Sequence, residues 1–346
     1  MATIRQVAKA AGVSIATVSR VLSNDPGFHV KEDTRTKVLQ AAGELGYDIP
    51  DRTDKQYRFG CVLAHTTDKY ADPYFSDIIQ AMERECAASG ASIVISKSYK
   101  DLEEQQGIGE FLAGPLDGIF LMEQVSREAL EQLRAHTPHL LFIDENQPDY
   151  VFDNVGYDQS VANWQVMHRL LGGGYRRIAM ISGASPEEPV VHAIRFGIYT
   201  EALRQADIPY DPALVKDCGW DLDTCSEQTR ELMAMESPPD VIFAGSDSLA
   251  QVVLGTLFSL GIRCPDEVGV IGFNNVELSS HMVPPLTTID IPTGDIGRTA
   301  VRRMIQMISE EDPHVRRTLF PTRLIERGSL RKAAALPEGN LERTIE

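Results

Sequence analysis

The stretch TIRQVAKAAGVSIATVSRVL, residues 3–22, reads as two short helices around a tight turn. Thr3 is placed to cap a first helix whose inner side would carry Ile4, Val7, Ala8 and Ala11. Gly12 supplies the left-handed turn that a residue with a Cβ resists. Ser14 then caps a second helix with Val18, Val21 and Leu22 facing inward, which leaves Ile15, Ala16, Ser19 and Arg20 on its outer side. Small Ala8, the turn at Gly12 and apolar Val18 let the two helices cross closely, and helix-turn-helices that bind DNA lay the second helix in the major groove. Two short helices around a glycine also occur in α proteins with no such role, so both readings stand on the pattern alone.

Charge is informative once it is divided along the chain. Residues 1–58 hold nine Lys/Arg against seven Asp/Glu, a surplus of two positives, whereas the whole chain is at −17, so the remainder carries −19. A mildly cationic head on an acidic body offers basic side chains to phosphate while the body is repelled from it. Five cysteines, at 61, 86, 218, 225 and 264, have neither the Cys-x-x-Cys spacing of a zinc site nor an even disulfide framework, and read as reduced structural thiols. No run approaches the roughly 20 apolar residues that cross a bilayer, and no export signal precedes the helical head, so a soluble, cytoplasmic protein with no membrane partner is expected.

From Phe59 onward short apolar runs alternate with longer amphipathic ones, the pattern of βαβ units and a parallel sheet. Strands are expected at 59–64, 92–96, 118–121, 140–143, 178–181, 241–244 and 268–271, and helices at 74–88, 102–112, 161–171, 193–205, 248–260 and 299–308. About 270 residues of this pattern exceed one compact α/β core, so two sheets with a cleft between them are expected.

Nothing here calls for a catalyst. Gly172-Gly-Gly-Tyr ends a helix and precedes a strand, the reverse of a phosphate-cradling loop; no Gly-x-Ser-x-Gly elbow occurs, and the eight histidines show no metal-ligand pairing. No cofactor or metal is expected. A binding cleft is better supported, because ligands of doubly wound sheets meet the loops beyond the carboxyl ends of the strands. Asp72, Tyr74 and Phe75 follow the first strand, Asp144 the fourth, and Ser246-Asp247 the strand at Val241; Trp220 is a further candidate for stacking. Carboxylates and aromatic faces at one edge suit a saccharide. Asp144 and Asp247 would equally serve as helix or turn caps, and Phe75 as core.

The wording of residues 3–22 closely resembles the N-terminus of the lactose/galactose repressor family of bacterial transcription factors. Residues 30–47 resemble that family's third helix and Ile49-Pro50 its exit; Gly269-Val-Ile-Gly-Phe-Asn-Asn followed by Pro284-Pro-Leu-Thr-Thr-Ile is similar to its effector-domain hallmark, and Pro321-Thr-Arg-Leu-Ile-Glu-Arg-Gly-Ser stands in the family's place near the end. The resemblance implies a three-helix helix-turn-helix domain (1–48), a short linker (49–58), a two-lobed periplasmic-binding-protein-like effector and dimerisation domain (59–330) and a flexible tail (331–346). Two doubly wound parallel-sheet lobes would be joined by three crossings, the first near Asn154 to Asp158, with the second lobe running to about Phe273 and a return near Asn275. Ile15 and Ala16 would sit where the family varies its base contacts, and Arg20 is the best donor to guanine. Thr3, Ser14, Thr17, Ser19, His29 and Thr34 would hold phosphate, helped by Lys55. Arg195 would be the effector arginine and Asn274 its partner in the Gly-Phe-Asn-Asn motif.

The implied function is repression of a carbohydrate-utilisation operon: a homodimer on palindromic operator DNA, released by a sugar, with a galactoside or related oligosaccharide favoured by the wording at Asp72-Pro-Tyr-Phe. An activating or co-repressor-dependent regulator, or a sugar-binding transport receptor, would share the fold. Two departures stand out. The linker lacks the small-residue and leucine pattern that wedges into a minor groove and places Asp51 and Asp54 beside phosphates, and Asn274 stands where relatives carry Asp. No leucine heptad follows residue 331, hence a dimer rather than a tetramer.

Overall fold

The structure, a computed structural model, describes residues 3–22, 30–45, 56–63, 72–104, 107–122, 125–144, 151–183, 193–310 and 314–332. It divides into two compact units, 1–57 and 58–346. His29, Lys55, most of the linker and most of the tail lie outside the described residues, and with them the expectations placed there.

The first unit is three helices, α1 (Ile4–Ala11), α2 (Ile15–Leu22) and α3 (Glu32–Glu44). Gln6 Oε1 accepts the backbone N–H of Thr3 at 2.7 Å and its hydroxyl at 3.0 Å, which fastens the first turn. Gly12 ends α1 at φ 67°, ψ 32°, and Ser14 Oγ accepts the Thr17 N–H at 3.0 Å to open α2. Val7, Ala8, Val18, Val21, Val38, Ala41 and Ala42 form the core between the three helices. Their inward positions follow from the 3.6-residue period.

The second unit carries twelve strands and nine α-helices among its described residues: β1 (Tyr57–Leu63), α4 (Pro73–Ala88), β2 (Ala91–Ser98), α5 (Tyr99–Glu103), α6 (Gly107–Phe111), β3 (Gly118–Leu121), α7 (Arg127–His136), β4 (Leu140–Ile143), β5 (Asp153–Tyr157), α8 (Gln159–Gly172), β6 (Ile178–Ser182), α9 (Ile194–Gln205), β7 (Val215–Asp217), α10 (Leu222–Met233), β8 (Val241–Ala244), α11 (Asp247–Ser259), β9 (Gly269–Ile271), β10 (Thr288–Asp290), α12 (Thr293–Glu310), β11 (Arg317–Phe320) and β12 (Arg323–Ile325). A six-stranded sheet has the order β11-β5-β4-β3-β1-β2, a four-stranded sheet the order β7-β6-β8-β9, and β10 pairs with β12. The bonds of β11 to β5, β5 to β4, β4 to β3 and β3 to β1 are parallel, as are all those of the second sheet; β10 and β12 are antiparallel. Helices cover the faces, so β3, β4 and β8 are buried at every residue, as parallel strands must be.

Three passages join the lobes. The chain leaves the first sheet after β5, returns between β10 and α12, and crosses again between β11 and β12. The return comes about fifteen residues later than the expected position near Asn275, because the chain at 271–274 pairs in parallel with 287–290 and the intervening segment doubles back inside the second lobe. The expected helix at 102–112 is two short ones: Glu104 is extended at φ −69°, ψ 158°, which ends α5. α12 packs on α4 and is pinned to the first sheet by a buried ion pair, Arg303 Nε to Asp153 Oδ1 at 2.5 Å, with Arg303 Nη2 donating to the His314 carbonyl at 2.8 Å. Where α12 faces solvent, Arg302 forks onto Glu85 of α4 at 2.8 and 3.2 Å.

Candidate DNA-reading head and effector cleft

On α2 the buried stripe of Val18 and Val21 turns Ile15, Ala16, Ser19 and Arg20 outward, and Ile15 stays 45% exposed. Thr17 is half-buried, its hydroxyl 2.8 Å from Ser14 Oγ at the helix start. Thr3 stands exposed ahead of α1, and Thr34 lies half-buried in the first turn of α3. Thr3, Ser14 and Thr34 thus sit at helix N-termini, where backbone N–H groups favour anions.

In the second unit, several of the expected effector residues stand beside the carboxyl ends of the strands: Asp72 at the start of α4, Asp144 directly after β4, Trp220 after β7 and Asn274 after β9. Asp72 caps α4, its Oδ1 accepting the Tyr74 N–H at 2.9 Å, and burial raises its carboxyl above the usual range. The Tyr74 hydroxyl donates to Asp144 Oδ2 at 2.8 Å, and Phe75 stands edge-on to Tyr74 at 5.1 Å. Burial and the neighbouring Asp144 push the Tyr74 phenol well up, so it stays a donor.

From the second lobe comes Arg195, on the first turn of α9. Its Nε donates to Asn163 Oδ1 at 3.2 Å, and Nη1 to Ser182 Oγ at 3.1 Å and to the Gly245 carbonyl at 2.9 Å. The guanidinium lies 4.7 Å from the Phe273 ring centroid and 5.5 Å from that of Phe243. Burial depresses its pKa, while Tyr157 and Asp144 act in the opposite direction, which places the first lobe's carboxylate within electrostatic reach of the second lobe's cation. Tyr157, at the end of β5, closes on Phe273 at 6.0 Å. Arg195 Nη2 has no hydrogen-bond partner among the described residues.

Trp220 lies with its indole against Gly183, where a Cβ would come within 2.4 Å of the ring, so only glycine admits it. Asn274 follows Phe273, half-buried, and its side-chain amide makes no hydrogen bond among the described residues. Asp144 (φ 66°), Trp220 (φ 60°) and Asn274 (φ 108°) all hold the left-handed region that side chains other than glycine resist. Strain of this kind collects at ligand clamps.

Asp247 is a correction. It is fully buried, and its carboxylate is spent on the Val276 N–H at 2.9 Å, the Thr288 hydroxyl at 2.6 Å and the Ser279 hydroxyl. It ties α11 to the 276–279 turn and to β10, and does not reach a ligand. Burial raises its carboxyl to about 6 against the hydrogen bonds that lower it. A folded-state value above the unfolded one of 3.8 means that this group's contribution is full below about 4 and is lost as pH rises to about 6. The melting temperature of Asp247→Asn is therefore expected to fall further behind the parent's as pH drops from about 7 to about 5. A gap that narrows over that range, read by calorimetry, would contradict the assignment.

Sequence reasoning missed Tyr157, Asn163, Ser182, Phe243 and Phe273 as parts of this edge. Phe273 lay inside a quoted motif, whereas Tyr157 ends a strand whose sequence, Asp-Asn-Val-Gly-Tyr, is not an apolar run.

The family description "Bacterial regulatory proteins, lacI family" matches residues 3–50, and "Periplasmic binding protein-like domain" matches 167–330. Over 341 residues, 97% of each chain, the sequence is 30% identical to the HTH-type transcriptional repressor CytR of Escherichia coli strain K12. The chain belongs to the lacI family. This lacI-family repressor is also 31% identical over 343 residues to the HTH-type transcriptional regulator CelR of Thermobifida fusca, covering 94% of this chain and 98% of the relative. The solved CelR–cellobiose complex superimposes with a TM-score of 0.71 at 27% identity, over 95% of this chain and 100% of that one. These relatives are transcriptional regulators, not enzymes, and the helical head of this lacI-family chain is its DNA-binding domain. No described helix is long and apolar enough to cross a membrane.

Proposed function

We propose that this lacI-family repressor acts in the cytoplasm as a homodimer on a palindromic operator and releases it when a neutral saccharide, a galactoside or related oligosaccharide, bridges its two lobes. The observation that carries the ligand class is Arg195. Three hydrogen bonds to the second lobe fix it beside two aromatic rings, and from the first lobe the Asp144 carboxylate, which accepts the Tyr74 hydroxyl, lies within electrostatic reach of it. A single arginine among carboxylates and aromatic faces suits hydroxyls and a sugar ring and disfavours a phosphosugar. The relative CelR holds cellobiose, a neutral disaccharide.

Phe258, 85% exposed, and Val283, 91% exposed, offer apolar surface to a second copy. Lobe closure then changes the spacing of two heads whose half-sites demand a fixed separation. Shifting an operator-competent population from 99:1 to 1:99 takes roughly 5.5 kcal/mol of differential binding, which two effector sites per dimer share at about half each.

The test is binding of a palindromic duplex by the purified chain, titrated with lactose, cellobiose and their monosaccharides. Operator affinity is expected to fall with a disaccharide; affinity that rises would make the ligand a co-repressor, and indifference to all of them would remove the saccharide reading. On the DNA side, Arg20→Ala is expected to cost about 1–3 kcal/mol and to relax preference at one position per half-site. Uniform weakening across all sequences in a competition assay would show Arg20 holding phosphate instead.

A further inference from the structure

The two charged groups of the cleft, Asp144 from the first lobe and Arg195 from the second, are joined by hydrogen bonds that run through the start of α8. Gln159 opens that helix just beyond the first passage between the lobes, and its Nε2 reaches back to donate to the Asp144 carbonyl at 3.0 Å. One turn on, Asn163 Nδ2 donates to the Gln159 carbonyl at 2.7 Å, and Asn163 Oδ1 accepts Arg195 Nε at 3.2 Å. The outer ends are fixed as well. Asp144 Oδ2 accepts the Tyr74 hydroxyl at 2.8 Å, and Arg195 Nη1 donates to Ser182 Oγ and to the Gly245 carbonyl.

We propose that Gln159 and Asn163 are positioning residues that hold Asp144 and Arg195 in register across the cleft, so that neither is set for the saccharide without the other. This rests on the reading of Asp144 and Arg195 as effector ligands.

Each side chain suits its place through what its partners require. Arginine Nε only donates and a backbone carbonyl only accepts, so the Asn163 amide has a single orientation, oxygen to Arg195 and nitrogen to Gln159. Asn163 is 2% exposed, which leaves no water to stand in for either partner. A cation at its oxygen makes the amide a better donor, and the two bonds strengthen one another. Alanine would make neither bond, and aspartate would set an acceptor against the Gln159 carbonyl. Gln159 meets a different need. Asp144 holds left-handed backbone at φ 66°, which a residue with a side chain keeps only where its surroundings fix it. Its N–H is tied to the Val155 carbonyl at 2.9 Å and its own carbonyl to Gln159, so β5 grips one side of the strained residue and α8 the other. Gly156 admits the approach, since a Cβ there would stand 3.0 Å from the Asp144 Cα.

Titration of the full chain with lactose and cellobiose by calorimetry tests the sugar side. Gln159→Ala and Asn163→Ala are each expected to weaken disaccharide binding about tenfold, the scale of leaving one buried polar group without its partner. Added to Asp144→Ala, the Gln159→Ala change should cost less than about twofold, because the group through which it acts is already gone. A merely structural loosening would cost the same on both backgrounds and overturns the proposal, as does parental sugar affinity in the single variants. Gln159 is only half-buried, so its variant keeps the test open should Asn163→Ala fail to fold. A second readout needs no sugar. In protein carrying isotope-labelled arginine, the Nε–H resonance of Arg195, identified by its loss in Arg195→Met, is expected to move in both Asn163→Ala and Gln159→Ala. A resonance unmoved by Gln159→Ala shows the two groups to be independent and overturns the register. Should the parent bind neither sugar, the saccharide reading fails and the sugar side with it, while the resonance still decides whether Asp144 and Arg195 are tied.

Discussion

Cutting Arg303 back to alanine is expected to destabilise the two-lobed unit by about 3–5 kcal/mol, because it strips the partner from a carboxylate that has no route to water. Arg303 and Asp153 are each only 6% exposed, and the guanidinium also holds the His314 carbonyl that leads into β11. The loss therefore reaches three things at once: a charge on β5 without its counter-ion, an orphaned carbonyl, and an α12 no longer fastened to the sheet. The pair itself need not be strongly stabilising, since desolvation offsets much of its attraction. Replacing both partners, Arg303→Met with Asp153→Leu, should accordingly recover much of what the single change loses. Thermal unfolding reads both variants; a single variant melting within about 1 °C of the parent would show that water reaches Asp153 after all.

The second large effect concerns ligand response. Arg195→Met keeps a long apolar stem against Phe243 and Phe273 but removes every donor, and it is expected to weaken saccharide binding by about a hundredfold or more, the scale for losing charged hydrogen bonds in a desolvated site. Operator affinity without sugar should stay near that of the parent, since no DNA contact is assigned to this residue. Calorimetric titration alongside operator binding separates the outcomes. Equal sugar affinity in the variant would place the ligand elsewhere, and loss of operator binding in its absence would mark Arg195 as a structural tie.

How far the chain could be read in advance depended on what each segment has to satisfy. β3, β4 and β8 must be apolar at every position because helices cover both their faces, and the sequence expectation met their bounds. β5 is just as buried, yet the Asp153 carboxylate at its start answers to Arg303, a need that belongs to a partner 150 residues away. α10 carries its apolar residues thinly among acidic ones, and only the core beneath it reveals the stripe of Cys225 and Leu232. Around the cleft the difficulty was of another kind. Asp144 and Asp247 each follow a strand, and nothing in their neighbours distinguishes them. One turns its left-handed backbone to the cleft edge, and the other is consumed by Val276, Ser279 and Thr288.

The edge strand β11, residues 317–320, lies beside β5 and closes a sheet whose other strands were all laid down by residue 157. During synthesis the first half of the sensor therefore emerges from the ribosome with β5 bare along one side, and stays so until nearly the whole chain has been made. A product cut short before that strand would present an unpaired, buried-type edge to any neighbour, a template for aggregation. Partial chains of this repressor should accordingly be targets for chaperones and proteases, not half-working sensors.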